Sequence, residues 1–128
     1  MKKILAAIAM VMAAGGVAAQ SVDFSEPKSG AVVSSPFKVK FAVTGMEVKP
    51  AGDMTSSTGH HHLIINGDSL KAGESIPFDE KHLHFGKGQT ETDVTLPPGT
   101  YKLTMQFANG AHQSYGPGLS KSITVTVK

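Results

Sequence analysis

The 128-residue sequence contains no cysteine, no tryptophan and no arginine. Without cysteine the chain forms no disulfide bond and has no thiol nucleophile. Without arginine it lacks the side chain that phosphate and nucleic-acid sites use most. We therefore do not expect nucleic acid as a partner. Stability must come from packing alone, or from packing together with a bound ligand or metal.

The N-terminal segment has the pattern of an export signal. A positive start at Lys2 and Lys3 precedes an apolar run over residues 4–12, and small residues close the segment. Small side chains before the cleavage point are what a signal peptidase requires, which predicts a signal peptide over residues 1–19. The alternative, a retained membrane anchor, is disfavoured because the apolar run is too short to span a bilayer comfortably. We expect residues 20–128 to act in the periplasm, without stable membrane insertion.

Residues 20–128 have the length of one small domain. The formal charge of the whole chain is +2, from twelve lysines and ten acidic residues. Lys2 and Lys3 account for this excess, so the mature domain is formally neutral. A neutral domain is not expected to bind anionic lipid tightly. The six histidines are then its unusual ionisable groups.

Short runs of alternating apolar and polar residues, separated by turns, predict strands and no convincing helix. The alternation is clearest in the runs 37–43, 101–107 and 123–127, and residues 97–99 form a strong Pro-Pro-Gly turn. About seven short strands in a domain of this size predict an all-β fold. We predict an immunoglobulin-like antiparallel β-sandwich, with a closed barrel as the main alternative. Residues 44–59 are predicted to form one long polar loop.

The histidines are grouped in the sequence. His60, His61 and His62 are consecutive, and a single residue separates His82 from His84. Because side chains on a strand alternate between faces, the outer two of the triplet share one face, and so do the two of the pair. Positions two apart lie about 6.6 Å apart along a strand. Two imidazoles leaning together can bridge this span to one ion at about 2.0 Å from each nitrogen.

Two such pairs on one domain predict a metal site, provided that their strands lie close together. The expected ligands are His60, His62, His82 and His84. Imidazole-rich sites suit copper(II), zinc or nickel and suit magnesium or calcium poorly. The expected ion is therefore copper or zinc, and copper is the more natural choice for a periplasmic protein.

Further residues could take part in this site or belong to the core instead. His61 lies on the face opposite to its two neighbours, which favours a structural role. His112 stands alone in a glycine-rich loop, and both are kept as reserve ligands. Met46 and Met54, which precede the histidine triplet, offer thioethers that suit copper(I). Four acidic residues are available to accept a hydrogen bond from a ligand imidazole, although such residues more commonly lie in solvated loops: Asp79, Glu80, Glu91 and Asp93.

These features predict a periplasmic metal-binding protein that binds, delivers or sequesters copper or zinc. Its expected partners are the metal ion and another periplasmic protein. The alternative is a cell-envelope interaction module without a metal, in which the histidines hold loops by hydrogen bonds. A third interpretation is a metallohydrolase or redox enzyme, which needs an open coordination site beside a general base. The sequence contains no nucleophile-elbow motif and no clear general base, so a binding protein is favoured over an enzyme.

Four segments form a distinctive combination of motifs. They are Glu26-Pro27-Lys28-Ser29-Gly30, Gly59-His60-His61-His62-Leu63, the segment from His82 to Glu91, and Leu96-Pro97-Pro98-Gly99. This combination resembles a bacterial exported family catalogued as domain of unknown function 4399, and the resemblance runs from about Phe24 to the C-terminus. It implies an exported single-domain protein and brings no established activity with it.

Overall fold

The structure is a computed structural model that describes residues 19–128, so residues 1–18 of the predicted signal peptide lie outside the described residues. The described part contains nine strands, one single-turn 3-10 helix and no α-helix. Among these residues no helix has the length and apolar character needed to cross a membrane. The strands are β1 Ser21–Glu26, β2 Val32–Val33, β3 Phe37–Thr44, β4 Glu47–Val48, β5 Thr58–Ile65, β6 His82–His84, β7 Glu91–Val94, β8 Gly99–Ala108 and β9 Ser120–Val127.

The all-β prediction is confirmed, and the finer assignment as an immunoglobulin-like sandwich stays a prediction. One detail of the strand prediction is wrong. The long loop predicted over residues 44–59 contains β4, which pairs in parallel with the first residues of β5. A two-residue strand is too short to show an alternating pattern, so the sequence could not indicate it.

The strands form two sheets. The smaller sheet is antiparallel, with strand order β1-β3-β7. The larger sheet has the order β2-β9-β8-β5, and the other edge of β5 carries β4 and β6 one after the other. Strand β5 is thus the one strand in the described residues with three partners, and it lies in the part of the sheet that carries the histidines.

The main core packs side chains of the two sheets against each other. Phe24 and Phe41 contribute from the smaller sheet, and Leu63, Met105 and Phe107 are fully buried on the larger one. These residues occupy alternate positions in their strands, so each strand turns one face to the core. Burial of apolar surface from both sheets is the main source of stability in a chain without disulfides.

Strand β5 departs from this alternation because all eight of its residues are buried. His61, Leu63 and Ile65 belong to its core face, and Ile64 belongs to the outer face. A second, smaller apolar cluster covers that outer face and consists of Ile64, Leu70, Ile76 and Ala108. Segment 66–81 therefore lies over the outer face of the larger sheet through Leu70 and Ile76. Segment 109–119 reaches the same face through the ring of His112 and the carbonyl of Gly116.

Gln106 fastens both covering segments to the sheet. It is fully buried on β8, directly opposite His62. Its Oε1 accepts a hydrogen bond from the backbone N–H of Leu70 (3.1 Å), and its Nε2 donates to the carbonyls of Gly116 (3.0 Å) and Leu119 (3.2 Å). One side chain thus satisfies buried backbone groups from two separate loops, as buried polar groups require.

Candidate metal centre

Three histidine nitrogens converge on the outer face of the larger sheet. His60 and His62 come from β5 and are fully buried, whereas His112 comes from the loop between β8 and β9 and is half-buried. The Nδ1 atom of His112 lies 3.0 Å from Nε2 of His60 and 3.2 Å from Nε2 of His62. Tetrahedral ligands at about 2.0–2.1 Å from an ion lie about 3.3–3.4 Å apart, so these separations are close to those of a bound ion.

The surroundings keep these imidazoles neutral. Burial, together with the neighbouring histidine rings, lowers the pKa of His60 to about 4 and that of His62 to about 2. Burial and the ring of His84 also lower the pKa of His112. A neutral imidazole has a lone pair on one nitrogen, which is the form that binds a metal.

His84 places a fourth ring nitrogen beside these three. Its Nδ1 lies 3.3 Å from Nδ1 of His112, and its ring centroid lies 4.5 Å from that of His62. Its Nε2 lies 2.8 Å from the carbonyl oxygen of Pro77. Because a carbonyl only accepts, Nε2 carries the proton, and in the neutral ring Nδ1 keeps the lone pair that faces the cluster. One nitrogen from each of His60, His62 and His112 lies within 4.8 Å of the others, and His84 stands just outside this tighter group.

His82 precedes His84 by two positions on β6, but its ring binds a carboxylate and not the histidine cluster. Its Nδ1 lies 2.7 Å from Oδ1 of Asp79, which also accepts a hydrogen bond from the backbone N–H of Lys81 (2.9 Å). Across the sheet, His82 is opposite Ile64 and not another histidine. Of the four ligands predicted from the sequence, the fold brings three to the cluster around His112 and leaves His82 with Asp79.

His61 occupies the core face of β5. Its ring stacks on Phe41 with centroids 4.7 Å apart and meets the edge of Phe107 at 5.1 Å. Neither of its nitrogens has a hydrogen-bond partner, and burial lowers its pKa to about 4. Of the two methionines considered as soft ligands, Met46 packs against the same core and Met54 is exposed. His61 is therefore a neutral core residue on the opposite side of the strand from the cluster.

His112 reaches the cluster because a tight turn holds its loop. The Asn109 side-chain oxygen accepts hydrogen bonds from the backbone N–H groups of Ala111 (2.9 Å) and Gln113 (3.0 Å). The Asn109 carbonyl accepts one from His112 (2.9 Å). His112 itself has a φ of 59°, a left-handed conformation that is uncommon outside glycine and that persists where the surroundings enforce it. A lone histidine in a loop has no spacing partner in the sequence, so no local pattern indicates its role.

The fold and site define an all-β domain with a histidine cluster on the outer face of one sheet. Residues 39–128 match the family described as "Domain of unknown function (DUF4399)", and the chain belongs to this family. The matched region contains all six histidines, and the predicted resemblance is confirmed.

No curated protein sequence matches the chain. Among solved structures, the endo-beta-1,4-mannanase from Thermotoga petrophila is similar, with a TM-score of 0.53 and 17% sequence identity. The similarity covers 91% of this chain and 21% of that one, so the chain spans about one fifth of the length of the mannanase. At this identity the similarity concerns the fold alone.

Proposed function

We propose that this protein binds one copper or zinc ion through His60, His62 and His112, with His84 as a fourth nitrogen donor. The observation that carries the proposal is the position of His112 Nδ1, which lies 3.0–3.3 Å from nitrogens of three other imidazoles. A ring nitrogen has either one proton or one lone pair, so it cannot form good hydrogen bonds to three nitrogens at once. One cation shared by the four nitrogens explains their convergence.

The donor set supports a borderline transition metal. The group of three contains imidazole nitrogen alone, which suits copper and zinc and suits magnesium and calcium poorly. Low pKa values favour the neutral ligand form, so few protons must leave when the ion binds near pH 7. The Pro77 carbonyl orients the His84 ring, as groups around metal ligands commonly do.

The biological setting that we propose is the periplasm, where the protein binds, delivers or sequesters the ion. The predicted signal peptide and the resemblance to an exported family support this location. We also propose that the two sheets form an immunoglobulin-like sandwich. Such a scaffold suits a binding role because strands β5 and β6 hold three of the donors on rigid backbone.

Metal titration of the mature protein tests the proposal. Zn²⁺ or Cu²⁺ should bind with one ion per chain and raise the melting temperature, because a ligand of the folded state stabilises that state. Mg²⁺ and Ca²⁺ should cause no comparable rise. His112→Ala should weaken binding by about 100-fold or more, since even groups that only orient ligands contribute about 10- to 100-fold. Isothermal titration calorimetry and chelator competition measure the stoichiometry and the affinity.

His82→Ala is the matched control. It removes the same type of side chain from β6, but from a ring that binds Asp79 and lies outside the cluster. Its metal affinity should stay within about threefold of the wild type. Equal losses in His112→Ala and His82→Ala would contradict the site. Wild-type binding no tighter than that of a surface histidine tag would favour the cell-envelope interaction module instead.

A further inference from the structure

The histidine cluster is accessible to solvent from one side. His60 and His62 are fully buried, whereas His84 and His112 are half-buried. An ion held by these nitrogens must therefore enter and leave past the two half-buried rings. The side chain of Phe78 lies on this side and is 73% exposed.

Phe78 contacts both of the half-buried rings. Its ring lies flat on that of His84, with centroids 3.8 Å apart and an angle of 11° between the planes. It also meets the ring of His112 at 5.1 Å and 73°. A single exposed apolar side chain needs no explanation in general. A parallel stack on one histidine combined with an edge contact to a second is a specific arrangement.

The segment 77–79 acts on both histidines of β6. The Pro77 carbonyl accepts a hydrogen bond from His84, Phe78 stacks on the same ring, and Asp79 binds His82. Three consecutive residues thus turn one histidine towards the cluster and keep the other away. The hydrogen bond to the Pro77 carbonyl fixes the direction in which Nε2 of His84 points, and the stack with Phe78 fixes the plane of the ring.

We propose, on the basis of the metal site proposed above, that Phe78 is a positioning residue for His84 and slows the release of the ion. It holds His84 as the ligand on the solvent side of the site and covers the route between His84 and His112. An ion leaves when His84 swings away, and the stacked ring opposes that movement. Loss of the Phe78 ring should therefore speed release of the ion and disturb the His84 ligand. The other three donors, His60, His62 and His112, should remain.

Two measurements on the metal-loaded mature protein test this role. Stopped-flow transfer of Zn²⁺ to excess chelator gives the release rate, and the visible spectrum of the Co²⁺-loaded protein reports its ligands. Phe78→Ala should release Zn²⁺ about twofold to tenfold faster, which corresponds to the contribution of one aromatic pair. It should also shift the Co²⁺ bands. Phe78→Tyr keeps the flat ring and should restore both properties.

Val32→Ala is the matched control, because Val32 is another exposed apolar residue (60% exposed) and lies on β2. It should behave as the wild type in both measurements. Wild-type protein that retains neither Zn²⁺ nor Co²⁺ would overturn the metal site itself. Wild-type retention with unchanged release and spectrum in Phe78→Ala would overturn the role of Phe78 and leave the site standing. Equal acceleration by Val32→Ala would also overturn it.

Discussion

His60 and His112 are 52 positions apart in the chain, yet Nε2 of the first lies 3.0 Å from Nδ1 of the second. Strand β5 places His60 on the outer face of the larger sheet, and the loop after β8 folds back over that face. The segment 66–81 covers the rest of the same face through Leu70 and Ile76. The proposed site is thus built on the side of the sheet that faces away from the main core.

The metal-free protein should lose stability as the pH falls from about 6.5 towards 4. Burial holds the pKa of His60 and His61 at about 4 and that of His62 at about 2 in the folded protein, against about 6.5 in the unfolded chain. In this window the unfolded chain binds protons that the folded chain does not, so the free energy of unfolding decreases as the pH is lowered. The stability that the neutral buried histidines contribute is fully present above pH 6.5. Each histidine adds a slope of up to about 1.4 kcal/mol per pH unit to the free energy of unfolding.

Urea unfolding of the metal-free protein with chelator at pH 7 and pH 5 measures this loss of stability. Equal unfolding midpoints at the two pH values would contradict the prediction.

His61→Phe should stabilise the folded protein and leave metal binding unchanged. The His61 ring lies between Phe41 and Phe107, and both of its buried nitrogens lack a partner. An unpartnered buried polar group costs about 1–3 kcal/mol, and part of the gain is offset by the larger ring. We expect an increase of about 1 kcal/mol in the free energy of unfolding and a weaker dependence on acid. Urea unfolding measures the first, and loss of Zn²⁺ binding in this variant would show that His61 is more than a core residue.

Gly110→Ala should weaken metal binding through the backbone. A Cβ at this position would lie 2.3 Å from the carbonyl oxygen of Asp53, so the two loops must separate and His112 must move with its loop. We expect the affinity to fall about 10-fold and the stability by about 1–3 kcal/mol. Gly118→Ala is the control, because no atom beyond its own chain neighbours lies within 4 Å of its Cβ position. Calorimetric titration of both variants measures the difference, and equal affinities would exclude this loop contact as a determinant of the site.

Gln106→Ala should destabilise both segments that cover the outer face. It leaves the buried N–H of Leu70 and the carbonyl of Leu119 without the Gln106 amide, whereas the carbonyl of Gly116 still accepts a hydrogen bond from the N–H of Leu119. Each unpartnered group costs about 1–3 kcal/mol, so we expect a loss of about 2 kcal/mol or more. Hydrogen exchange should show faster opening of residues 66–81 and 109–119. Gln89→Ala, at an exposed position, should leave the exchange of these segments as in the wild type.

The strand pattern predicted the class of fold and most of the larger sheet. The alternating runs 101–107 and 123–127 fall within β8 and β9, because alternation records which side chains face a core. The same alternation correctly separated His61 from His60 and His62. It could not show that the outer face of β5 is buried as well, since this burial comes from irregular segments outside the strand, which carry no alternating pattern.

The sequence by itself determined an all-β chain, the faces on which neighbouring histidines lie and the imidazole chemistry of the candidate site. Only the tertiary structure decided which histidines meet. It brought His112 to the cluster through a loop held by Asn109. It paired His82 with Asp79, although the sequence pattern places His82 and His84 on the same face and does not distinguish them. The physical reason is that alternation along a strand is a local property. Contact between distant segments depends on how their loops fold and which hydrogen bonds hold them, and no short-range pattern records this.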